Sequence, residues 1–117
     1  MKNRFASTAS LVALAGSLLC GVAAHGADMI KVLLIDGQNN HNWKATTPVL
    51  VEALKSSKQF EVVVSTSPPQ NGSKEDWDKW RPAFSKADVV PSNYNGKDWP
   101  QAVQKPFLDY AKARGGL

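Results

Sequence analysis

Six consecutive positions, Asp36-Gly37-Gln38-Asn39-Asn40-His41, bring together a carboxylate, a glycine, three carboxamides and an imidazole. Carboxamides both donate and accept hydrogen bonds, which suits a hydroxyl-rich ligand, and an imidazole titrates near neutrality, so His41 is the candidate general acid or base. A second polar turn, Asn93-Tyr94-Asn95-Gly96, repeats this character, while Trp43 and Trp99 offer flat faces of the kind that cover a sugar ring. The candidate ligand-binding set is Asp36, Gly37, Gln38, Asn39, Asn40, His41, Trp43, Asn93, Tyr94 and Asn95, with His41 as the catalytic candidate. Each has a plainer reading. Asp36 and Asn39 are turn formers that bond to their own backbone, and His41 serves equally as a solvated turn residue. Trp43, Trp77, Trp80 and Trp99 serve as packing groups for a small core. Glu75, Asp76 and Asp78 read as a solvated helix start.

Several chemistries are excluded by inventory. The single cysteine, Cys20, lies in an apolar leader, so the remainder offers no disulfide, thiolate nucleophile or cysteine metal ligand. Once the leader and His25 are set aside, Asp36 and His41 are too few for a metal centre. The turn after the first strand lacks the Gly-x-Gly-x-x-Gly spacing of a dinucleotide site, which leaves a flavin or nucleotide binder as a weak third reading, and no cofactor is expected. The formal charge is +4, but Lys2 and Arg4 belong to the leader and the rest carries +2. No basic cluster with interleaved aromatics remains, so nucleic acid is not an expected partner.

Lys2 and Arg4 precede an apolar, small-residue run from Leu11 to Ala24, the layout of a secretory signal peptide with cleavage near 24–27. A run of about 14 residues falls short of the roughly 20 that span a bilayer, which disfavours an uncleaved anchor. A lipoprotein signal at Cys20 is the other alternative, although Leu19 is bulkier than that position normally takes. The expectation is a signal peptide over 1–26, a single small domain over 27–117, a periplasmic or secreted location, and no membrane association after cleavage.

The elements that must position the polar turns follow in order. Ile30 to Ile35 is almost wholly apolar and reads as a strand covered on both faces, with the first turn just outside its carboxyl end. Thr46-Thr47-Pro48 starts a helix whose apolar face carries Leu50, Ala53, Leu54 and Ser57. Phe60 to Thr66 is a second, β-branched strand, and a strand, helix and strand in this order imply a right-handed parallel unit. Ser73 opens a short helix that ends near Arg81-Pro82. Ala87 to Asn93 reads as a third strand, with Pro91 tolerable only at an edge, strand end or bulge. Asp98 is placed to cap a last helix with Pro100 in its first turn, Val103, Phe107, Tyr110 and Ala111 on its apolar face, and a kink or break at Pro106.

Several separated segments then carry a family resemblance: Val32-Leu33-Leu34-Ile35-Asp36-Gly37-Gln38-Asn39-Asn40-His41-Asn42-Trp43, Trp77-Asp78-Lys79-Trp80-Arg81-Pro82, Asp88-Val89-Val90 with Ser92-Asn93-Tyr94-Asn95-Gly96, and Arg114-Gly115-Gly116-Leu117. Together they resemble the ThuA-like, or trehalose-utilisation, proteins. The resemblance implies a flavodoxin-like α/β fold related to class I glutamine amidotransferase domains, associated with export and sugar metabolism. Without cysteine, amidotransferase chemistry does not carry over. A ThuA-like domain is roughly twice this long and continues past Gly-Gly-Leu into a further strand and a histidine-containing loop. The expected fold is therefore a parallel α/β sheet truncated to about three strands, in order 2-1-3, with flanking helices. The expected function is binding or processing of a small-molecule carbohydrate or polyol in a completed domain. The alternative is a non-catalytic remnant or interaction module completed by another chain, with self-association through the exposed edge of the third strand.

Overall fold

The computed structural model describes residues 27–114. The expected leader over 1–26 and the closing Gly115-Gly116-Leu117 therefore lie outside the described residues. β1 (Ile30–Asp36) and β2 (Phe60–Thr66) pair in parallel from Ile30↔Phe60 to Asp36↔Thr66. Between them runs α1 (Trp43–Ser56); α2 (Lys74–Lys79), a 3-10 turn (Phe84–Lys86) and α3 (Gln101–Ala113) follow. The arrangement is a mixed α/β fold built on a small two-stranded parallel sheet.

β1 is the buried strand that its apolar composition predicts, with every residue from Val32 to Asp36 shielded. Its odd-numbered side chains, Leu33 and Ile35, join Phe84, Ala87 and Val103 in the core, with Trp80, Tyr94, Trp99, Phe107 and Tyr110 packed around them. Phe84 is the buried ring against this aromatic shell, with ring centroids 5.4 Å from Phe107 and 6.1 Å from Trp99. Each aliphatic side chain fully withdrawn from water contributes roughly 1.5–3 kcal/mol, so this face supplies much of what holds a small domain together. α1 takes no part in that cluster and packs on β2.

The expected third strand is not formed. Instead, residues 88–93 touch β1 at two isolated parallel bridges, Val32↔Val89 and Ile35↔Ser92. Backbone bonding gives the reason. Leu33 N–H donates to Val89 O at 3.0 Å, Ile35 N–H to Pro91 O at 3.1 Å and Asn93 N–H to Ile35 O at 2.8 Å. The donor that would complete the ladder between these points belongs to Pro91, which has none. Pro91 thus directs its missing N–H inward toward β1, which corrects the expectation of a proline made harmless by an edge. These bonds use odd-numbered residues of β1, whereas Ile30 N–H and Asp36 O bond toward β2 at 2.8 Å each, so residues 88–93 lie along the edge of β1 opposite β2.

Four helix expectations also change. α1 begins a turn early, at Trp43, because the Asn42 carbonyl already accepts from the Ala45 and Thr46 N–H groups, both at 3.1 Å, and Pro48 falls inside the helix. Its anticipated apolar face is only partly covered: Leu50 stays 43% exposed. In α3 the preceding residue is Pro100 and no side chain caps it, so Asp98 does not act as expected; the helix runs unbroken through Pro106. The short α2 behaves as read, with Ser73 Oγ accepting from Asp76 N–H and the Asp76 carboxylate accepting from Ser73 N–H. Among the described residues, no helix is long and apolar enough to cross a membrane.

Candidate functional site

Where β1 ends, the chain turns at Gly37, whose φ is +120°. A Cβ there would lie 2.4 Å from Ser67 Oγ and 2.6 Å from Ser67 N, so only glycine lets the turn pass so close to the end of β2. Ser67 N–H donates to Asp36 O at 2.8 Å, tying the two strand ends together. Gln38 then acts as a clamp between loops. Its Nε2 donates to Pro68 O at 2.7 Å, its Oε1 accepts from Lys97 N–H at 2.9 Å, and its backbone O accepts from Asn95 N–H at 2.9 Å. Gly96 makes this approach feasible, because a Cβ there would sit 2.4 Å from the Gln38 side chain.

The centre of the site is Asn93, a buried residue held by its own N–H on Ile35 O. Asn39 Nδ2 donates to Asn93 O at 3.2 Å and lies 3.4 Å from Asn93 Oδ1; His41 Nε2 is 3.2 Å from the same Oδ1. On its other side Asn93 Nδ2 donates to Thr46 Oγ1 at 3.1 Å and Thr47 Oγ1 at 3.0 Å. The residues read from sequence as two separate polar turns thus meet in one network that also enters the first turn of α1.

Asp36 differs from its neighbours. It is 2% exposed, and its Oδ1 is buried with no hydrogen-bond partner among the described residues. It is therefore not the backbone-bonding turn residue of the plainer reading. A buried carboxylate oxygen without a donor is costly unless something supplies one, which makes Asp36 the group in this region most in need of a partner.

Other candidates are placed apart. Asn40 and Asn95 have exposed side chains. Trp43 is half-buried at the start of α1, with the Lys44 ammonium 5.6 Å from its ring centroid. Tyr94 points into the aromatic cluster, 5.6 Å from Trp99, and its hydroxyl donates to Lys97 O. Burial pushes the Tyr94 phenol above its ordinary value of 10.0. Trp77, Trp80 and Trp99 form an edge-to-face chain with centroids 5.8 and 5.6 Å apart, so they are packing groups. The residues that sequence reasoning missed are Thr46, Thr47, Ser67 and Lys97. The two threonines were legible only as a helix start, and nothing local marks the other two as partners of Gln38 or Gly37.

A cavity of about 1040 Å³ lies elsewhere, at the amino end of the strands between Met29, Lys31, Val63, Ala87, Asp88 and Arg114. Two of its charged groups are committed to the scaffold: Asp88 accepts from Lys31 N–H at 2.9 Å and faces Arg114 at 3.5 Å, while Arg114 Nη2 donates to Ala87 O at 3.0 Å. In open α/β sheets ligands bind outside the carboxyl ends of strands, and the buried carboxylate oxygen without a donor, Asp36 Oδ1, is at that end too. Among the described residues, no group of three His, Cys, Asp or Glu side chains is placed to hold a metal ion.

No family model matches the chain, and no curated protein matches it. Among solved structures, the crystal structure of a ThuA-like protein from Parabacteroides merdae is similar to it, with 37% identity and a TM-score of 0.68 over 74% of this chain. The chain spans 30% of that protein's chain. This match supports the ThuA-like family for the sequence.

Proposed function

We propose that this ThuA-like chain contributes the first part of an exported domain that binds a carbohydrate or related polyol at the carboxyl ends of its parallel strands. The observation that carries the reading is the meeting of Asn39, His41 and Asn93 at the carboxyl end of β1, the strand end that also holds Asp36, a buried carboxylate whose Oδ1 has no donor among the described residues. A polyol hydroxyl would donate to Asp36, while carboxamide and imidazole groups would bond its neighbours. His41 is the group for proton transfer, and Gly37 and Gln38 shape the wall. In the completed domain, residues 88–93 would occupy the third-strand position, across β1 from β2 with the ladder interrupted at Pro91, of a flavodoxin-like sheet ordered 2-1-3, and the leader over 1–26 would direct export to the periplasm or medium.

Isothermal titration of the completed domain against a panel of sugars and polyols tests this. Heat is expected from at least one of them, and Asp36→Asn, which replaces an acceptor oxygen by a donor, is expected to weaken that binding at least about tenfold, the equivalent of 1.4 kcal/mol. No heat from any member of the panel would overturn the reading.

A second reading is an interaction module that another chain completes. It is favoured by Val63 and Val89, 55% and 44% exposed on either side of β1, and by the open edge along residues 88–93. The same titration separates the two readings, because this one expects no heat from polyols and a mass above that of the monomer.

A further inference from the structure

We propose that Asn93 is the positioning residue for His41, holding the imidazole as the Nε2–H tautomer and leaving Nδ1 as the free lone pair of the site. The direction of each hydrogen bond follows from one donor that admits no alternative. Asn40 N–H lies 2.8 Å from the Asn39 side chain, so the atom it meets is the acceptor Oδ1 and the other atom of that amide is Nδ2. Asn39 Nδ2 donates to Asn93 O at 3.2 Å and is 3.4 Å from an Asn93 side-chain atom, which must itself be an acceptor, Oδ1. The remaining Asn93 atom is then Nδ2, facing Thr46 and Thr47 Oγ1 at 3.1 and 3.0 Å. Both hydroxyls can accept; Thr46 sends its own proton to Trp43 O at 3.4 Å.

Asn93 Oδ1 has no hydrogen to give. The ring nitrogen 3.2 Å from it, His41 Nε2, must therefore carry the proton. A neutral imidazole with hydrogen on one nitrogen presents the other as an acceptor, so Nδ1 is available to a ligand hydroxyl. His41 is exposed, which leaves that atom within reach. Asn93, by contrast, is buried and pinned by its N–H on Ile35 O, so the orientation is set from the end of the sheet rather than by the loop that bears the histidine. A carboxamide does this without adding charge beside the ring. What Nδ1 meets rests on the polyol reading above; the tautomer itself does not.

The full chain labelled with ¹⁵N-histidine allows the test, by long-range ¹H–¹⁵N correlation at a pH where the imidazole is neutral. His41→Gln identifies the signals, since His25 is also present. The expected wild-type pattern is a protonated Nε2 with slowed solvent exchange and an unprotonated Nδ1. Asn93→Ala should lose the exchange protection and move both nitrogens toward tautomer-averaged positions, whereas Asn93→Asp, which retains the acceptor oxygen, should restore the single tautomer. Hydrogen on Nδ1 in the wild type, or identical wild-type and Asn93→Ala patterns, would overturn the assignment, and the wild-type result decides it even if a variant fails to fold. Adding the polyol panel separates the two ideas: an intact tautomer pattern that no polyol perturbs speaks against the ligand reading alone.

Discussion

At the amino end of β1, Asp88 takes the Lys31 N–H on one oxygen and faces Arg114 with the other, while the Tyr110 hydroxyl donates to Asp88 O at 3.0 Å. At the carboxyl end, Asn39, His41, Asn93, Thr46 and Thr47 bond to one another, and Asp36 Oδ1 bonds to nothing described. At the first end Asp88, Tyr110 and Arg114 are spent on fixing backbone. The second orders a set of side chains around one another and leaves a buried carboxylate oxygen over, and that is why the proposed ligand site is placed there and not at the cavity of the first. Space alone does not make a site; unpartnered, positioned polar groups do.

The sharpest way to break this contrast is at Gly37. Replacing it by Ala puts a methyl group into Ser67 at a backbone angle that L-residues rarely adopt, and should cost about 2 kcal/mol or more in denaturant unfolding. A neutral outcome would show that the two strand ends are not held as closely as the turn geometry requires.

A smaller effect is expected at Tyr94 and only in alkali. Burial raises its folded-state pKa above 10.0, so the stability linked to this phenol is fully present below 10.0 and is lost as pH rises through the folded value. Wild type should therefore lose stability relative to Tyr94→Phe between neutral pH and alkali, read as converging melting temperatures; a constant difference would contradict it.

The least effect belongs to the amino end. Arg114 and Asp88 are each about half exposed, so their ion pair is solvent-screened, and Arg114→Ala should cost below about 1 kcal/mol with no change in polyol binding. A loss of binding would shift attention to the cavity beside it.

Much of the scaffold is legible in the residues. The apolar run of β1, the β-branched β2 and the helix between them are local patterns whose period states the element. The capping spacing of Ser73 and the apolar face of α3 are equally local. The site was legible as two polar turns, yet not as one network, because the bonds that join them span many residues and depend on where residues 88–93 lie against β1. The third strand failed for a reason present in the sequence: Pro91 has no N–H. Which side that gap would face is not a property of composition, since it depends on the register against β1.

The sequence by itself determined the parallel unit, the polar strand end and the ThuA-like resemblance, because these rest on side-chain chemistry and short-range spacing. Tertiary structure decided the rest. It placed Tyr94, Trp77, Trp80 and Trp99 in packing, left Asp36 Oδ1 buried without a donor, and set Asn93 between the helix threonines and His41. Which of several chemically able residues becomes a wall, a core or a proton carrier is settled by which partners reach it, and those partners come from distant parts of the chain.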